Sequence, residues 1–335
     1  MAVDRGNVTL RVQKRFENNT HMATSNRYSR RRFISTFSAG TFSAAVASAA
    51  PLSAAEICNN SNTADAPPEI IDTNVNLFEW PFRKMKYSNT RMLIEKLRHH
   101  RITQVWTGSY EALFSKSINI TNIRLSKECR ENGKGMLVPF GAVNLSWPDW
   151  EEDLRRCHEE HKMPGIRVYP AYQAYDLSHE DFPRLVSLAA ERGMIVQIVG
   201  TLEDTRVQHP IVASREISFE PIVDVMKNNP KAKVQLLNWN DHVNNELLKK
   251  LVTETSAMFD IAWLESTGGL GRLIDGNSWF GKRSPVPVDR ILFGSYAPFF
   301  PPESALMKLF ESPLTLSQMK SVMNINANHF IKQVI

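Results

Sequence analysis

The sequence lacks the features that mark several common protein classes. Its 335 residues contain three cysteines, Cys58, Cys129 and Cys157, and no C-x-x-C pair. An odd number without paired spacing argues against a disulfide framework and against a cysteine zinc site. Cys129 and Cys157 lie in helical patterns, so we expect them to be packed thiols. Beyond residue 55, no stretch approaches the roughly 18 apolar residues of a membrane span.

A net positive charge is lacking outside the first 55 residues. The chain has a formal net charge of +5, yet residues 1–55 hold eight Lys/Arg and two acids, which leaves −1 for the rest. The basic character therefore belongs to a leader, and we expect no nucleic-acid partner.

The leader has the three parts of an export signal. Paired arginines at Arg30–Arg32 precede a weakly apolar, Ala/Ser-rich stretch that ends at Ala55. This succession resembles a twin-arginine signal, so we expect residues 1–55 to engage the twin-arginine export machinery and to be cleaved. The mature protein would then be periplasmic or extracellular, without a membrane contact. A disordered basic tail is the alternative, and Met22 offers a second start.

After a linker at 56–68, apolar runs alternate with amphipathic helical patterns. Predicted strands are 69–77, 103–109, 136–144, 165–170, 195–200, 233–238, 257–264 and 290–297, with helical segments such as 90–101, 149–161, 180–192, 220–228 and 243–253 between them. Eight β/α units in about 265 residues predict an α/β fold, a (β/α)8 TIM barrel forming one domain over 69–335. Residues 316–331 predict an extra C-terminal helix. A doubly wound sheet is the alternative, but no G-x-G-x-x-G follows the first strand.

Two amides end the first predicted strand. Asn74 and Asn76 are two residues apart, so on a strand both face the same way. Imidazoles at these places would form a metal-binding His-x-His pair. A neutral amide oxygen is a poor zinc ligand, so the substitution argues against zinc.

Four segments carry a family resemblance: 72–76 (D-T-x-V-x), 165–170 (GIRVYP), 189–193 (AAERG) and 289–295 (DRILFGS). In these motifs the chain resembles the amidohydrolase-related family of the amidohydrolase superfamily. The members of this family are metal-dependent TIM-barrel hydrolases. The resemblance runs from about Ile70 to Ala327. It implies a barrel whose relatives bind zinc or a similar divalent ion and hydrolyse or decarboxylate small molecules.

The family's metal-ligand positions fall on residues that are neither charged nor imidazoles. They correspond to Asn74, Asn76, a position at or next to Val199, Asn238 and Tyr296. Five replacements together imply a divergent member, so we expect neither a metal ion nor another cofactor.

Other side chains at the predicted strand ends supply polar chemistry. The candidate catalytic residues are His209, Glu203, Asp204 and Tyr296; the candidate substrate-binding residues are Asn74, Asn76, Arg83, Arg167, Tyr169, Arg206, Asn238 and Trp239. Arginines suit an anion, aromatic rings suit a flat ligand, and acid with imidazole suits proton transfer.

Each group also has a structural interpretation. Arg83 and Arg167 are candidates for ion pairs with Asp72 or Glu265. His209 precedes a proline and is placed to order its loop. Glu203, Asp204 and Arg206 resemble a solvated charge cluster, and only their place after strand five favours a functional role.

Two functions are favoured on the sequence, and a purely structural or assembly role is a weaker third, because nothing in the sequence indicates an interface. The first is a hydrolase or lyase acting on a small polar or anionic molecule without the usual zinc, so that small molecule is the expected partner. The second is a catalytically dead barrel that binds a small ligand after export. A homo-oligomer is compatible with both, and fold alone does not decide between them.

Overall fold

The computed structural model describes residues 69–212, 214–265, 268–278 and 281–332. The predicted leader at 1–55, the linker at 56–68 and Cys58 lie outside these ranges. Cys129 and Cys157 are buried free thiols in the second and third helices, as predicted.

Eight parallel strands form the central sheet and pair in chain order. They are β1 Ile70–Leu77, β2 Ile102–Ser109, β3 Leu137–Ala142, β4 Gly165–Val168, β5 Ile195–Val199, β6 Lys233–Leu237, β7 Met258–Asp260 and β8 Ile291–Leu292. The segment after β8 returns to β1, where Tyr296 N donates to Asn74 O at 2.8 Å and Asn76 N to Ala297 O at 3.0 Å. These bonds close the sheet into the predicted barrel.

Helices connect the strands on the outside of the barrel. They are α1 Thr90–His99, α2 Ile118–Asn132, α3 Trp150–Glu159, α4 Phe182–Glu191, α5 Pro221–Asn228, α6 Asn245–Glu254, α7 Gly269–Asp275, α8 Pro302–Glu311, α9 Leu316–Lys320 and α10 Asn326–Lys332, with a π-turn at Ser321–Ile325. A two-residue ribbon pairs Asn277–Ser278 with Gly281–Lys282. None of the described helices is long and apolar enough to cross a membrane.

The amphipathic pattern and its caps explain these helices. In α1, the Asn89 side chain accepts from the Arg91 and Met92 N–H groups, which satisfies donors that the first turn leaves free. Leu93 and Leu97, four residues apart, are buried against the sheet.

The last two strands are shorter than the predicted 257–264 and 290–297. Beyond β8, backbone groups find partners outside the ladder: Phe293 N donates to Val322 O at 3.0 Å, and Ser295 N to Asp72 Oδ1 at 2.9 Å. Tyr296 has a left-handed φ of 60°. The apolar run continues beyond β8, but its backbone hydrogen bonds go to β1 and to the C-terminal helical segment instead of β7. The strand therefore ends earlier than the apolar run predicts.

The N-terminal end of the barrel is filled by apolar side chains. This lower layer comprises Ile71, Trp106, Phe140, Ile195, Met258 and Leu292 from the strands, with Ala327, Phe330 and Ile331 from α10. Trp106 stacks on Phe140 with ring centres 5.2 Å apart. The predicted C-terminal helix therefore closes this end and leaves the opposite end, the mouth, for ligands.

Candidate functional site

A belt of polar side chains crosses the middle of the barrel. Arg167, Gln197 and Gln235 lie at one level on β4, β5 and β6, because strand register pairs Arg167 with Gln197 and Gln197 with Gln235. All three are fully buried. Barrel interiors usually hold layers of branched apolar residues, so the belt departs from the common pattern.

Hydrogen bonds join the belt to β1. Gln197 Nε2 donates to Gln235 Oε1 at 2.8 Å and to Thr73 O at 2.9 Å. Gln235 Nε2 donates to Thr73 Oγ1 at 2.7 Å, and that hydroxyl donates to Phe293 O at 2.9 Å. The amides and the hydroxyl are thus linked in one network, which is how buried polar groups avoid a desolvation cost.

The Arg167 guanidinium is held by neutral oxygens. Its Nε donates to Gln197 Oε1 at 2.8 Å, and its Nη1 donates to Val75 O at 2.7 Å and to Asn76 Oδ1 at 3.0 Å. Its Nη2 donates to Trp106 O at 3.2 Å. Burial lowers the pKa of Arg167. Within the described ranges, neither Arg167 nor Arg83 forms an ion pair with Asp72 or Glu265.

The Asn76 amide oxygen is fully used. It accepts from Arg167 Nη1 at 3.0 Å and from the Tyr169 hydroxyl at 3.1 Å. Burial raises the pKa of Tyr169, so this phenol remains a donor at neutral pH. An amide oxygen has two lone pairs. Both are taken, one of them by a cationic group.

Asn74 and Asn238 meet at a carboxylate that the sequence analysis did not select. Asn74 Nδ2 donates to Asn238 Oδ1 at 2.9 Å and to Asp260 Oδ2 at 2.7 Å. The Asn238 N–H donates to Asp260 Oδ1 at 3.0 Å, and its side-chain amide donates to Thr201 O at 2.7 Å. Burial raises the pKa of Asp260 to about 6, against the lowering effect of these bonds.

A second buried carboxyl lies beside this pair. Asp72 Oδ1 accepts from the Asn74 and Ser295 N–H groups at 3.1 and 2.9 Å, while Oδ2 has no partner. Burial raises the pKa of Asp72 to about 7, and the negative charge of Asp260 adds to the rise. The barrel therefore holds two buried carboxyl groups that keep their protons to a higher pH than ordinary aspartates do.

These side chains do not fit the zinc site that the family resemblance implies. Zinc takes thiolate, imidazole or carboxylate ligands. The amides of Asn74, Asn76 and Asn238 are committed to each other, to Asp260 or to Arg167. In the described part of the chain, no group of three or more His, Cys, Asp or Glu side chains has the arrangement of a metal site.

Above the belt, aromatic side chains fill the mouth. Trp80 packs edge-to-face on Phe82, Tyr110 and Phe299, with ring centres 5.5 to 5.7 Å apart. Tyr296 stacks on Phe299 at 5.1 Å. Val199, at the end of β5, is buried in the same cluster. Tyr296 is fully buried, and its hydroxyl donates to Leu202 O at 2.7 Å.

Glu203 lies at the edge of this aromatic cluster. Its side chain follows β5 and the residue is 6% exposed. Burial raises the pKa of Glu203, while Arg83, the Trp80 indole N–H and His209 lower it in part. Glu203 Oε2 and Trp80 Nε1 both lack a partner with hydrogen-bond geometry. The structure thus brings together an acid and an imidazole from the loop after β5 and a cation, Arg83, from the loop after β1.

Arg83 and His209 border Glu203 from the exposed side. The Arg83 guanidinium lies over the Phe299 ring, 4.1 Å from its centre. The His209 ring stacks on Phe82 at 5.0 Å, and its Nδ1 accepts from Ile211 N at 3.2 Å. Both residues are exposed. They can therefore meet a ligand from solvent without prior unfolding of the barrel.

Three other candidates lie away from this group. Asp204 and Arg206 pair with each other on the surface, as in the solvated cluster weighed above. Trp239 is buried on the helix-facing side of the sheet, where Nε1 donates to Asp260 O at 2.9 Å. Trp239 therefore acts on the site only through the β7 backbone.

Two hollows in the described ranges lie away from the mouth. One of about 420 Å³ lies between α6 and residues 282–285, and one of about 630 Å³ lies at the N-terminal ends of the strands. The rings described above occupy the place where barrel enzymes usually present a cleft.

Sequence comparisons with known proteins find nothing: no protein-family model matches the chain, and no curated protein matches it. Solved structures do match. An uncharacterised TIM-barrel protein from Bordetella bronchiseptica has a TM-score of 0.62 at 14% identity, covering 79% of this chain and 99% of that chain.

Two further matches have named activities. A 2,6-dihydroxybenzoate decarboxylase from Rhizobium has a TM-score of 0.59 at 13% identity, over 79% of this chain and 99% of that chain. An amidohydrolase II has a TM-score of 0.55 at 14% identity, over 79% of this chain and 100% of that chain. The barrel of this chain has the fold of these amidohydrolase and decarboxylase barrels, which confirms the predicted resemblance at the level of the fold.

Proposed function

We propose that this protein is an amidohydrolase-related hydrolase or lyase that acts on a small, flat anion at the barrel mouth without a metal ion in the usual ligand positions. The observation that carries the proposal is the Glu203 group. A buried carboxyl with a free oxygen lies beside an exposed arginine and an exposed imidazole. This combination supplies an anion contact, a proton donor and a proton acceptor within one site.

The roles follow from the environment of each side chain. A carboxyl whose pKa is raised by burial keeps its proton closer to neutral pH, so Glu203 is assigned as the acid. His209 is assigned as the base, because its exposed imidazole lies beside Glu203 and an imidazole nitrogen can accept a proton from a ligand. Arg83 is assigned to the ligand's anionic group. A flat ligand reaches the Phe82 or Phe299 ring by displacing His209 or Arg83 from its face.

Export and partners complete the proposal. The paired arginines of Arg30–Arg32 and the Ala/Ser stretch after them support passage through the twin-arginine machinery. The proposed partner in the mature state is the small ligand. A homo-oligomer is compatible with these observations.

The metal-free part of the proposal predicts the metal content of the protein. After incubation with Zn²⁺ or Mn²⁺ and desalting, the chain should retain far less than one metal per molecule by elemental analysis. The reason is that the Asn76 oxygen is shared by Arg167 and Tyr169, and the Asn74 amide by Asn238 and Asp260. Stoichiometric metal that disappears in Asn74→Ala or Asn76→Ala would contradict the proposal.

The ligand part is tested with a flat carboxylate. One matched barrel was solved with 2,6-dihydroxybenzoate bound, so this acid and simpler benzoates are the first probes. We expect ligand-dependent thermal stabilisation in the wild type and a Kd about tenfold weaker in Arg83→Met, since a charge-assisted contact is lost. Arg91→Met, on the exposed face of α1, is the matched control and should bind normally.

Turnover then separates the two candidate functions. In Glu203→Gln we expect binding to persist while any turnover falls by about 10²- to 10⁴-fold. Equal turnover in Glu203→Gln and wild type would remove Glu203 from the chemistry. Binding without turnover in the wild type would instead favour a ligand-binding barrel, the second candidate.

A further inference from the structure

The hollow at the N-terminal end of the barrel has an unusual lining. It measures about 630 Å³ and is bordered by Lys231, Lys233, Arg290, His329 and a single carboxylate, Asp289. Met258, Phe330 and Pro230 form its apolar part. The volume lies within the range of small-molecule sites. Its position is opposite the mouth, so it is separate from the site proposed above.

Strand register explains why the cations converge there. Lys233 is the first residue of β6, and it pairs with Ile195, the first residue of β5. Ile195 belongs to the apolar lower layer, so Lys233 projects on the same inner side of the sheet. Arg290 directly precedes β8, and His329 lies on α10, which covers this end of the barrel.

The lysine is unpaired. Lys233 Nζ is shielded from solvent and has no hydrogen-bond partner, although an ammonium carries three donors. Burial lowers the pKa of Lys233, and no neighbouring acid offsets this effect. A buried, unpaired ammonium costs stability. Fold stability therefore does not account for a lysine at this position.

The other basic groups are only partly engaged. Arg290 uses Nε and Nη2 on a single acceptor, Ala257 O. Lys231 is exposed at the rim. Two lysines and one arginine face one carboxylate, so the lining has an excess of positive charge before any contribution from the His329 ring.

We propose that this hollow binds a small oxyanion, a phosphate or carboxylate, with Lys233 as the central contact. The flexible four-carbon stem lets the ammonium turn from the lower layer toward the bound anion. Arg290 and Lys231 supply further positive charge, and the apolar wall at Met258 and Phe330 accommodates a short hydrocarbon part of the ligand. The proposal does not depend on the mouth being a catalytic site.

The test compares anions at matched ionic strength. Inorganic phosphate and succinate should each raise the Tm of the full chain by about 3 °C or more over sodium chloride. Calorimetric titration should give a Kd at least tenfold weaker in Lys233→Met, because the charge-assisted contact is removed. Lys127→Met, on the exposed face of α2, should bind like the wild type. Response to only one of the two probes identifies the oxyanion class.

A second variant gives an effect of opposite sign. Asp289→Asn removes the only carboxylate of the lining, so we expect anion binding about two- to threefold tighter, a gain that misfolding does not produce. The proposal is overturned if neither anion shifts the Tm beyond the chloride control. It is also overturned if Lys233→Met and Lys127→Met bind equally, or if Asp289→Asn binds no tighter than the wild type.

Discussion

Arg167→Met is expected to lower the free energy of unfolding by about 4 kcal/mol. The substitution removes the guanidinium N–H groups, which are the belt's donors to Gln197 Oε1, Val75 O and Trp106 O. Methionine fills much of the space but donates nothing. Several buried oxygens then lose their partners at once, and each unsatisfied group costs about 1–3 kcal/mol before relaxation.

Urea unfolding followed by tryptophan fluorescence measures this loss. Arg167→Lys should recover only part of it, since a single ammonium does not reproduce the planar fork that reaches five acceptors. Arg91→Met is the control, because Arg91 is exposed and pairs only with Glu95. If Arg167→Met and Arg91→Met unfold at the same urea concentration, the belt does not stabilise the barrel.

The contribution of two buried aspartates to stability should fall as the pH rises from about 4 to about 7. Burial raises the pKa of Asp72 from 3.8 to about 7 and that of Asp260 to about 6. The folded state therefore holds more protons than the unfolded state in this window, and the free energy of unfolding decreases with pH. Below about pH 4 both buried carboxyls are protonated, so the fold buries no charge at these positions. Above about pH 7 both are ionised, and the full cost of burying their charges lowers the free energy of unfolding.

Asp72→Asn isolates the Asp72 contribution. Its Oδ1 can still accept from the Asn74 and Ser295 N–H groups, while the buried charge is gone. We expect a free energy of unfolding higher by roughly 2–4 kcal/mol at pH 8, and a flatter dependence on pH. Urea unfolding at pH 5 and pH 8 measures both quantities. Asp224→Asn, exposed on α5, should parallel the wild type. A steeper slope in Asp72→Asn would reject the assignment.

The sequence was sufficient for the barrel because apolar runs alternate with amphipathic helical patterns along the chain. It was also sufficient for the inward direction of Asn74 and Asn76, since alternation in β1 sets it. It was less informative for β7, where an apolar run through residue 264 concealed that the strand ends at Asp260. The carboxylate that receives Asn74 was missed for this reason.

Other parts of the site were not predicted because their partners are distant in the sequence. Gln197 and Gln235 were visible as polar residues inside apolar runs, but only the register of β4, β5 and β6 places them at one level with Arg167. Likewise, the chain order does not reveal that Glu203 lies beside Arg83. The neighbours Asp204 and Arg206 had the same sequence signal as Glu203, yet they face solvent and each other.

The belt has a consequence for how the chain folds. Arg167 and Gln197 are synthesised about 90 to 125 residues after β1, yet their hydrogen bonds end on Val75 and Thr73. Docking β4, β5 and β6 without β1 buries donors that have no acceptors, which is unfavourable. The first strand and the middle strands should therefore assemble in one cooperative step, and a fragment that begins after Leu77 should not form a stable half-barrel.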